Sequence, residues 1–198
     1  YDFPPERQPT NLKPRQRLIG EAEFVPVQNQ YGGFVYAGAT MAFTTAYWVL
    51  GHYNPREIAF LGCDMSYPKS SKTHFYGTGT ADPLREDITL ISLEAKAARL
   101  YALALAQGCE ITNLSQETSR LIAPRRSLLE PRPEPFEIDK VQKAHALARE
   151  QELAYYVASG RYWEELERFD IEQIKRLDAL WSNVVIEPKE AAALMRGY

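Results

Sequence analysis

Between residues 21 and 126, short apolar runs alternate with longer stretches in which apolar residues recur at helical spacing. Four short runs predict strands, at 23–28, 33–38, 56–62 and 109–114. Pro26 places the first of them at a sheet edge, because proline cannot donate a hydrogen bond to a neighbouring strand. The third run is apolar from Ile58 to Leu61, which predicts a strand that is buried on both faces.

Two helices are predicted between these strands. Thr40 is the predicted N-cap of a helix over 41–53, which we expect Gly51 to close. Asp87 is the predicted cap of a second helix, which ends at Gly108. Its apolar stripe consists of Leu90, Leu93, Ala97, Leu100 and Ala104. Strands that alternate with helices predict a parallel sheet with helices packed on it, the doubly wound α/β class.

The composition changes on both sides of this region. Prolines in the first 20 residues predict an extended or disordered segment. After the proline- and arginine-rich connection that begins at Pro124, residues 136–198 are predicted to form a helical C-terminal extension. Its predicted helices cover 136–159, stopped by Gly160, then 162–168, a segment capped by Asp170, and a short last helix that opens at Pro188. The predicted domains are therefore an N-terminal segment (1–20), an α/β domain (21–126) and the extension.

Composition and charge narrow the function classes. The chain has 198 residues, of which 45% are hydrophobic and 25% charged, as in an ordinary globular protein. A net charge of −3 argues against broad nucleic-acid binding. Without a bilayer-length apolar run or a signal peptide, we expect a cytoplasmic protein with no transmembrane segment. Two cysteines and three dispersed histidines predict buried thiols and no structural metal. Because the chain begins with Tyr1, we expect that an upstream portion can be missing.

The long segment between residue 62 and Asp87 carries the groups most suited to chemistry. Asp64 follows the strand at 56–62 and either caps a turn or takes part in function. His74 is the predicted general base or acid, because histidine titrates near neutral pH. Tyr67 and Tyr76 either close on a sugar or base or anchor the loop. Connections of this length are uncommon unless they are functional or disordered, so we interpret residues 65–86 as an active-site lid.

Two further junctions are expected to meet Asp64. Ligands of open parallel sheets bind outside the carboxyl ends of the strands. Asn113 and Ser115 stand at the end of the strand at 109–114. Gly38, Ala39 and Thr40 stand where an earlier predicted strand enters a helix, whose free N–H groups can receive a phosphate. Arg125 and Arg126 either neutralise a phosphate or belong to a solvated linker.

The order of these features resembles a known superfamily. The run GFVYAGATMAF…YWVLGHYNPREIAFLGCDMSY…THFYG…AKAARLYALALAQGCEITNLSQETSRLIAPRR is similar to the C-terminal half of a Rossmann-like superfamily. That superfamily includes small bacterial sialyltransferases, motility-associated proteins that modify flagellin, and archaeal hydroxymethylpterin diphosphokinase-like proteins. The resemblance covers residues 34–126 and implies a Rossmann-like parallel sheet with flanking helices.

The resemblance also implies roles for individual residues. Gly38, Ala39 and Thr40 fall where the sialyltransferases hold the cytidine nucleotide. Asp64 and Tyr67 fall on a Gly-x-Asp-x-x-Tyr segment that borders the nucleotide-sugar, and His74 fits a His-Phe-Tyr sequence of the diphosphokinase-like branch. Asn113 and Ser115 fall on the following strand end. The superfamily's phosphate loop on its first strand has no counterpart here, so the chain is either a fragment that lost its first βαβ unit or a reduced relative.

Three functions are compatible with these observations. The leading expectation is a sialyltransferase-like glycosyltransferase that needs no cofactor. It would move a sugar from a nucleotide-sugar, of which a CMP-linked sugar is one candidate, to a glycan or protein acceptor. The second is a pterin diphosphokinase-like enzyme, in which Asp64 helps to hold Mg²⁺. The third is a non-catalytic binding or assembly module. The helical C-terminal region would in each case be available for homo-oligomer formation.

Overall fold

The N-terminal part of the fold is helical. A computed structural model describes residues 14, 20–66 and 87–187 of the chain. The first three elements are α1 (Glu21–Asn29), α2 (Phe34–Ala37) and α3 (Met41–Tyr53). The strands predicted at 23–28 and 33–38 are therefore wrong.

The first of these segments forms a helix because its apolar residues also fit a helical spacing. Phe24 and Val27 lie on one side of α1, and Tyr31 follows at the same helical spacing just after its end; all three pack into the core with α3. The rings of Phe24 and Trp48 stack with their centroids 6.2 Å apart. Packing on α3 therefore outweighs the cost of Pro26 inside α1.

Gly51 has a different role from the predicted one. It lies inside α3, which continues to Tyr53 and ends at Asn54 in the left-handed conformation (φ 45°). A Cβ atom at position 51 would lie 2.7 Å from Cγ1 of Val27. The glycine thus permits the close approach of α1 and α3. Thr40 is the N-cap of α3, as predicted, and its Oγ accepts a hydrogen bond from the Phe43 N–H.

The parallel pairing predicted for the two central strands is confirmed. β1 (Glu57–Phe60) and β2 (Glu110–Asn113) pair in parallel, with Glu57 opposite Glu110 and Phe60 opposite Asn113. The part of the chain that the structure describes is thus mixed α/β, with a two-stranded parallel sheet. Burial of β1 on both faces is wrong, because Ala59 is exposed.

The helix between these strands begins later than predicted. Asp87 caps a 3₁₀ turn (Ile88–Leu90), and Ser92 caps the α-helix itself, α4 (Leu93–Ala106). Gly108, at φ 76°, follows its end as predicted. Four members of the predicted stripe are fully buried in one core with β2: Leu93, Ala97, Leu100 and Ala104.

The predicted helix over 136–159 is shorter in the structure. It is preceded by β3 (Glu137–Ile138), and α5 (Lys140–Leu153) ends at Ala154 rather than Gly160, because Ala154 adopts the left-handed conformation. The segment at 162–168 forms two 3₁₀ turns. Asp170 caps α6 (Ile171–Ser182) as predicted, and β4 (Val185–Ile186) pairs antiparallel with β3. The helix predicted at Pro188 lies outside the described residues.

The C-terminal helices pack against α4. Ala95 and Ala102, on a second side of α4, share a core cluster with Ile174, Leu177 and Trp181 of α6. α4 therefore has one face toward β2 and α3 and another toward α6. Within the described ranges, none of the helices has both the length and the apolar character needed to cross a membrane.

Candidate functional site

The structure brings three predicted site residues together at one edge of the sheet. Since β1 and β2 are parallel and in register, their carboxyl ends lie side by side. Asp64 follows β1, while Asn113 ends β2 and Ser115 follows it. The Ser115 hydroxyl donates a hydrogen bond of 2.7 Å to Oδ2 of Asp64. We call Asp64, Asn113 and Ser115 the strand-end cluster.

Two polar atoms of the strand-end cluster have unused hydrogen-bonding capacity. The Ser115 N–H donates to Oδ1 of Asn113 at 2.9 Å, which leaves the Asn113 Nδ2 as the free donor. Neither this Nδ2 nor Oδ1 of Asp64 has a hydrogen-bond partner in the described part of the protein, and both atoms are buried. Buried polar groups are usually paired with protein or water. One donor and one acceptor are thus available to a water or a ligand group at this edge.

The loop after β2 fixes the position of Asp64. The backbone carbonyl of Asp64 accepts hydrogen bonds from the Arg120 N–H at 2.8 Å and from the Ser119 hydroxyl at 3.3 Å. The Arg120 guanidinium in turn forms two hydrogen bonds, of 2.5 and 2.8 Å, with the carboxylate of Glu94 in the first turn of α4. This Arg120 contact lowers the pKa of Glu94. The segment that carries Asp64 is therefore tied to both β2 and α4.

Sequence reasoning missed Ser119 and Arg120, since their contacts depend on the path of the loop. It left two interpretations open for Arg125 and Arg126, either that they neutralise a phosphate or that they belong to a solvated linker. Nη1 of Arg125 donates to the Ser115 carbonyl at 3.0 Å, so this cation lies beside the strand-end cluster. Arg126 instead forms an ion pair of 2.6 Å with Glu57, at the opposite end of β1. Arg126 is therefore excluded as a phosphate ligand of the strand-end cluster, while Arg125 fits that role.

The turn before α3 places strict steric demands on its residues. A Cβ atom at Gly38 would lie 2.2 Å from the carbonyl oxygen of Phe34, so only glycine fits there. Ala39 has a positive φ of 95°. Thr40 uses its hydroxyl oxygen as the helix cap. These three residues lead directly into the first turn of α3.

An apolar cavity of about 560 Å³ adjoins this first turn of α3. Its walls include Phe24, Phe34, Met41, Thr44 and Trp163. Its volume is within the range of small-molecule sites. In the described residues, no hydrogen bond or ion pair connects the turn at Gly38, Ala39 and Thr40 to the strand-end cluster.

Tyr67, His74 and Tyr76 lie outside the described residues, as does the segment interpreted as a lid apart from its first two residues, Met65 and Ser66. Their roles stay predictions. Among the residues that the structure does describe, no group of three or more histidine, cysteine or acidic side chains is arranged to hold a metal ion. Cys63, which precedes Asp64, is a free thiol whose pKa is raised by partial burial and by the negative charge of Asp64.

No protein-family model, curated protein or solved structure matches this chain. Its chemistry must therefore be inferred from the site itself. The strand-end cluster combines a carboxylate acceptor, an amide donor and an adjacent guanidinium. This set can bind a hydroxylated ligand that also carries negative charge, because the carboxylate accepts from hydroxyl groups while the guanidinium attracts an anion.

Proposed function

We propose that the chain is a glycosyltransferase of the sialyltransferase-like type. A nucleotide-sugar would bind across the carboxyl ends of β1 and β2, and its sugar would pass to a glycan or protein acceptor. The observation that carries this proposal is the strand-end cluster, in which Asp64 meets Ser115 while one acceptor and one donor atom stay unused. The proposal includes a Rossmann-like sheet of which β1 and β2 are two strands.

Different residues of this edge would bind different groups of the nucleotide-sugar. Oδ1 of Asp64 would accept a hydrogen bond from a sugar or ribose hydroxyl, and Nδ2 of Asn113 would donate to a neighbouring oxygen. Arg125 would offset the charge of the donor phosphate from its position beside the Ser115 carbonyl. The free N–H groups after Thr40 would be a second position for that phosphate.

The reaction is a substitution at the anomeric carbon. The acceptor hydroxyl oxygen forms a bond to this carbon as the bond from the carbon to the nucleotide phosphate oxygen breaks. The nucleotide leaves with the bonding electron pair, and the acceptor proton passes to His74 as general base. Closure of the segment 65–86 over the donor would exclude water, which otherwise competes with the acceptor.

A thermal-shift panel tests the proposal. CMP, CDP, UDP, GDP and ATP are added with and without Mg²⁺ to the wild type and to the Asp64→Asn variant. A ligand at 100 times its Kd stabilises by about 2.7 kcal/mol. At roughly 2–4 °C per kcal/mol, the melting temperature should rise by about 5–11 °C. We expect a cytidine nucleotide to give this rise without metal, and we expect Asp64→Asn to reduce it.

The matched control is Asp139→Asn, which makes the same chemical change at the N-cap of α5. Asparagine caps helices about as well as aspartate, so both the fold and the nucleotide response should be retained. A rise only with ATP and Mg²⁺ would favour the diphosphokinase-like alternative. No rise with any nucleotide, or equal rises in Asp64→Asn and Asp139→Asn, would refute a nucleotide-sugar site at the strand-end cluster and favour a binding or assembly module.

A further inference from the structure

A second cleft, of about 610 Å³, lies at the other end of α4. It opens between the turn after α1, the end of α4 and the end of α5, and its rim includes Gln30, Gln107 and Gln151. Gln107 follows the last residue of α4 and precedes β2, whereas the strand-end cluster follows β2. The cleft and the strand-end cluster are therefore at opposite ends of the sheet.

The floor of the cleft is a buried ion pair. Arg99 and Glu150 are only 2% and 7% exposed. Nε and Nη2 of Arg99 donate to the two carboxylate oxygens of Glu150, at 2.6 and 2.8 Å. Nη1 of Arg99 donates to the Tyr47 hydroxyl at 2.9 Å. Each guanidinium nitrogen is thus engaged, and these two opposite charges are the only charges among the lining residues. The cleft offers no spare charge to a phosphate or carboxylate.

The rim of the cleft carries neutral groups that can both donate and accept. The side-chain amides of Gln30 and Gln151 and the hydroxyl of Tyr156 have no hydrogen-bond partner within the described residues. Gln107 accepts from the Tyr31 hydroxyl at 3.0 Å, which leaves its amide NH₂ available. Such groups match hydroxyl groups, which also donate and accept.

One wall of the cleft is apolar. Leu103 and Leu147 form it together with Ala106. The Tyr156 ring stands opposite the glycine pair after α1, where a Cβ atom at Gly33 would lie 3.4 Å from the ring. An apolar wall and a neutral polar rim fit a ligand that has a C–H face and hydroxyl groups around its edge.

We propose that this cleft binds a neutral saccharide. The apolar wall would cover the C–H face of the sugar ring, and the three glutamines with Tyr156 would bind its hydroxyl groups. The paired floor would discriminate against charged ligands, because a phosphate or carboxylate placed there would be desolvated without a free partner. The inference needs no transferase activity at the strand-end cluster.

The experiment is a titration followed through the side-chain amide resonances of Gln30, Gln107 and Gln151 in ¹H–¹⁵N spectra. The probes are glucose, galactose, N-acetylglucosamine, maltose and lactose, with CMP as the charged comparison. We expect at least one saccharide to shift these resonances saturably, with a Kd on the order of 1 mM. CMP should leave them unchanged.

Two substitutions on α5 provide the comparison. Gln151→Leu removes an amide from the rim and should raise the Kd for the saccharide at least about tenfold, which is a loss of about 1.4 kcal/mol of binding free energy. Gln142→Leu makes the same change on the same helix outside the cleft and should leave the affinity unchanged. Asp64→Asn should also leave the saccharide affinity unchanged. The saccharide proposal and the nucleotide-sugar proposal can therefore fail independently of each other. Absence of a saturable shift with every saccharide, equal affinities in Gln151→Leu and Gln142→Leu, or a saturable response to CMP would overturn the proposal.

Discussion

The buried pair formed by Arg99 and Glu150 should be among the most sensitive positions of the molecule. Glu150 accepts hydrogen bonds from two guanidinium nitrogens of Arg99 and, at 2.7 Å, from Nε1 of Trp181. The three residues belong to α4, α5 and α6, so this carboxylate connects three helices. In Glu150→Gln the shape is kept, but the charge that compensates Arg99 is lost.

The loss of stability in Glu150→Gln can be estimated from the burial and charge of Arg99. Burial alone lowers the pKa of Arg99, but Glu150 reverses this effect, so the guanidinium stays charged. An arginine cannot relieve an unpaired charge by losing its proton. Removing one partner of a buried pair costs about 3–5 kcal/mol. At roughly 2–4 °C per kcal/mol for a protein of this size, the melting temperature should fall by about 6–20 °C.

The assay is calorimetric and chemical unfolding of Glu150→Gln beside Glu152→Gln on the same helix. Glu152 forms an exposed ion pair of 2.6 Å with Arg149, and losing such a pair costs less than about 1 kcal/mol. A double change, Arg99→Met with Glu150→Leu, removes both charges and should cost less than Glu150→Gln alone. Equal losses in Glu150→Gln and Glu152→Gln would refute the reasoning.

Two shorter predictions concern helix packing and acid stability. Gly51→Ala would stabilise an isolated helix by about 0.5–1 kcal/mol. Here it should instead destabilise the protein by about 1–3 kcal/mol, because the new Cβ meets Val27. Adding Val27→Ala should restore part of this loss, as measured by urea unfolding. For Glu57, burial alone raises the pKa, but hydrogen bonds from Arg126 and Thr112 bring it below its usual 4.5. The contribution of Glu57 to stability should therefore be complete above pH 4.5 and disappear as the pH falls through the lowered pKa. Urea midpoints measured from about pH 6 to about pH 3 would test this, because Arg126→Met should lose less stability on acidification than the wild type.

The elements that could be predicted from the sequence are those with an unambiguous local signal. The strands β1 and β2 follow from compact apolar runs, and Thr40 and Asp170 mark helix starts through their own hydrogen bonds. The segment around Phe24 carries a helical spacing too, but its run is so short that a strand fits it equally well. Only the packing of α1 on α3 decides between them, and that contact is not a local property.

The strand-end cluster could be predicted for a related reason. Parallel strands bring their carboxyl ends together whatever their sequence, so Asp64 and Ser115 could be placed near each other once both strands were identified. The roles of Ser119 and Arg120 could not, because they depend on how the loop after β2 folds back onto Asp64. The choice between the two interpretations of Arg126 could not be made either, because its partner Glu57 lies at the far end of β1.

The helices beyond residue 136 contribute to the scaffold of the strand-end cluster through α4. One end of α4 holds Arg120, and through it Asp64, by way of Glu94. The middle of the same helix carries Arg99, whose charge is compensated from α5. The contacts with α5 and α6 keep α4 in position, since its second apolar face would otherwise meet water and its buried arginine would stand unpaired. The C-terminal helices therefore stabilise, at a distance, the geometry of Asp64 and its neighbours.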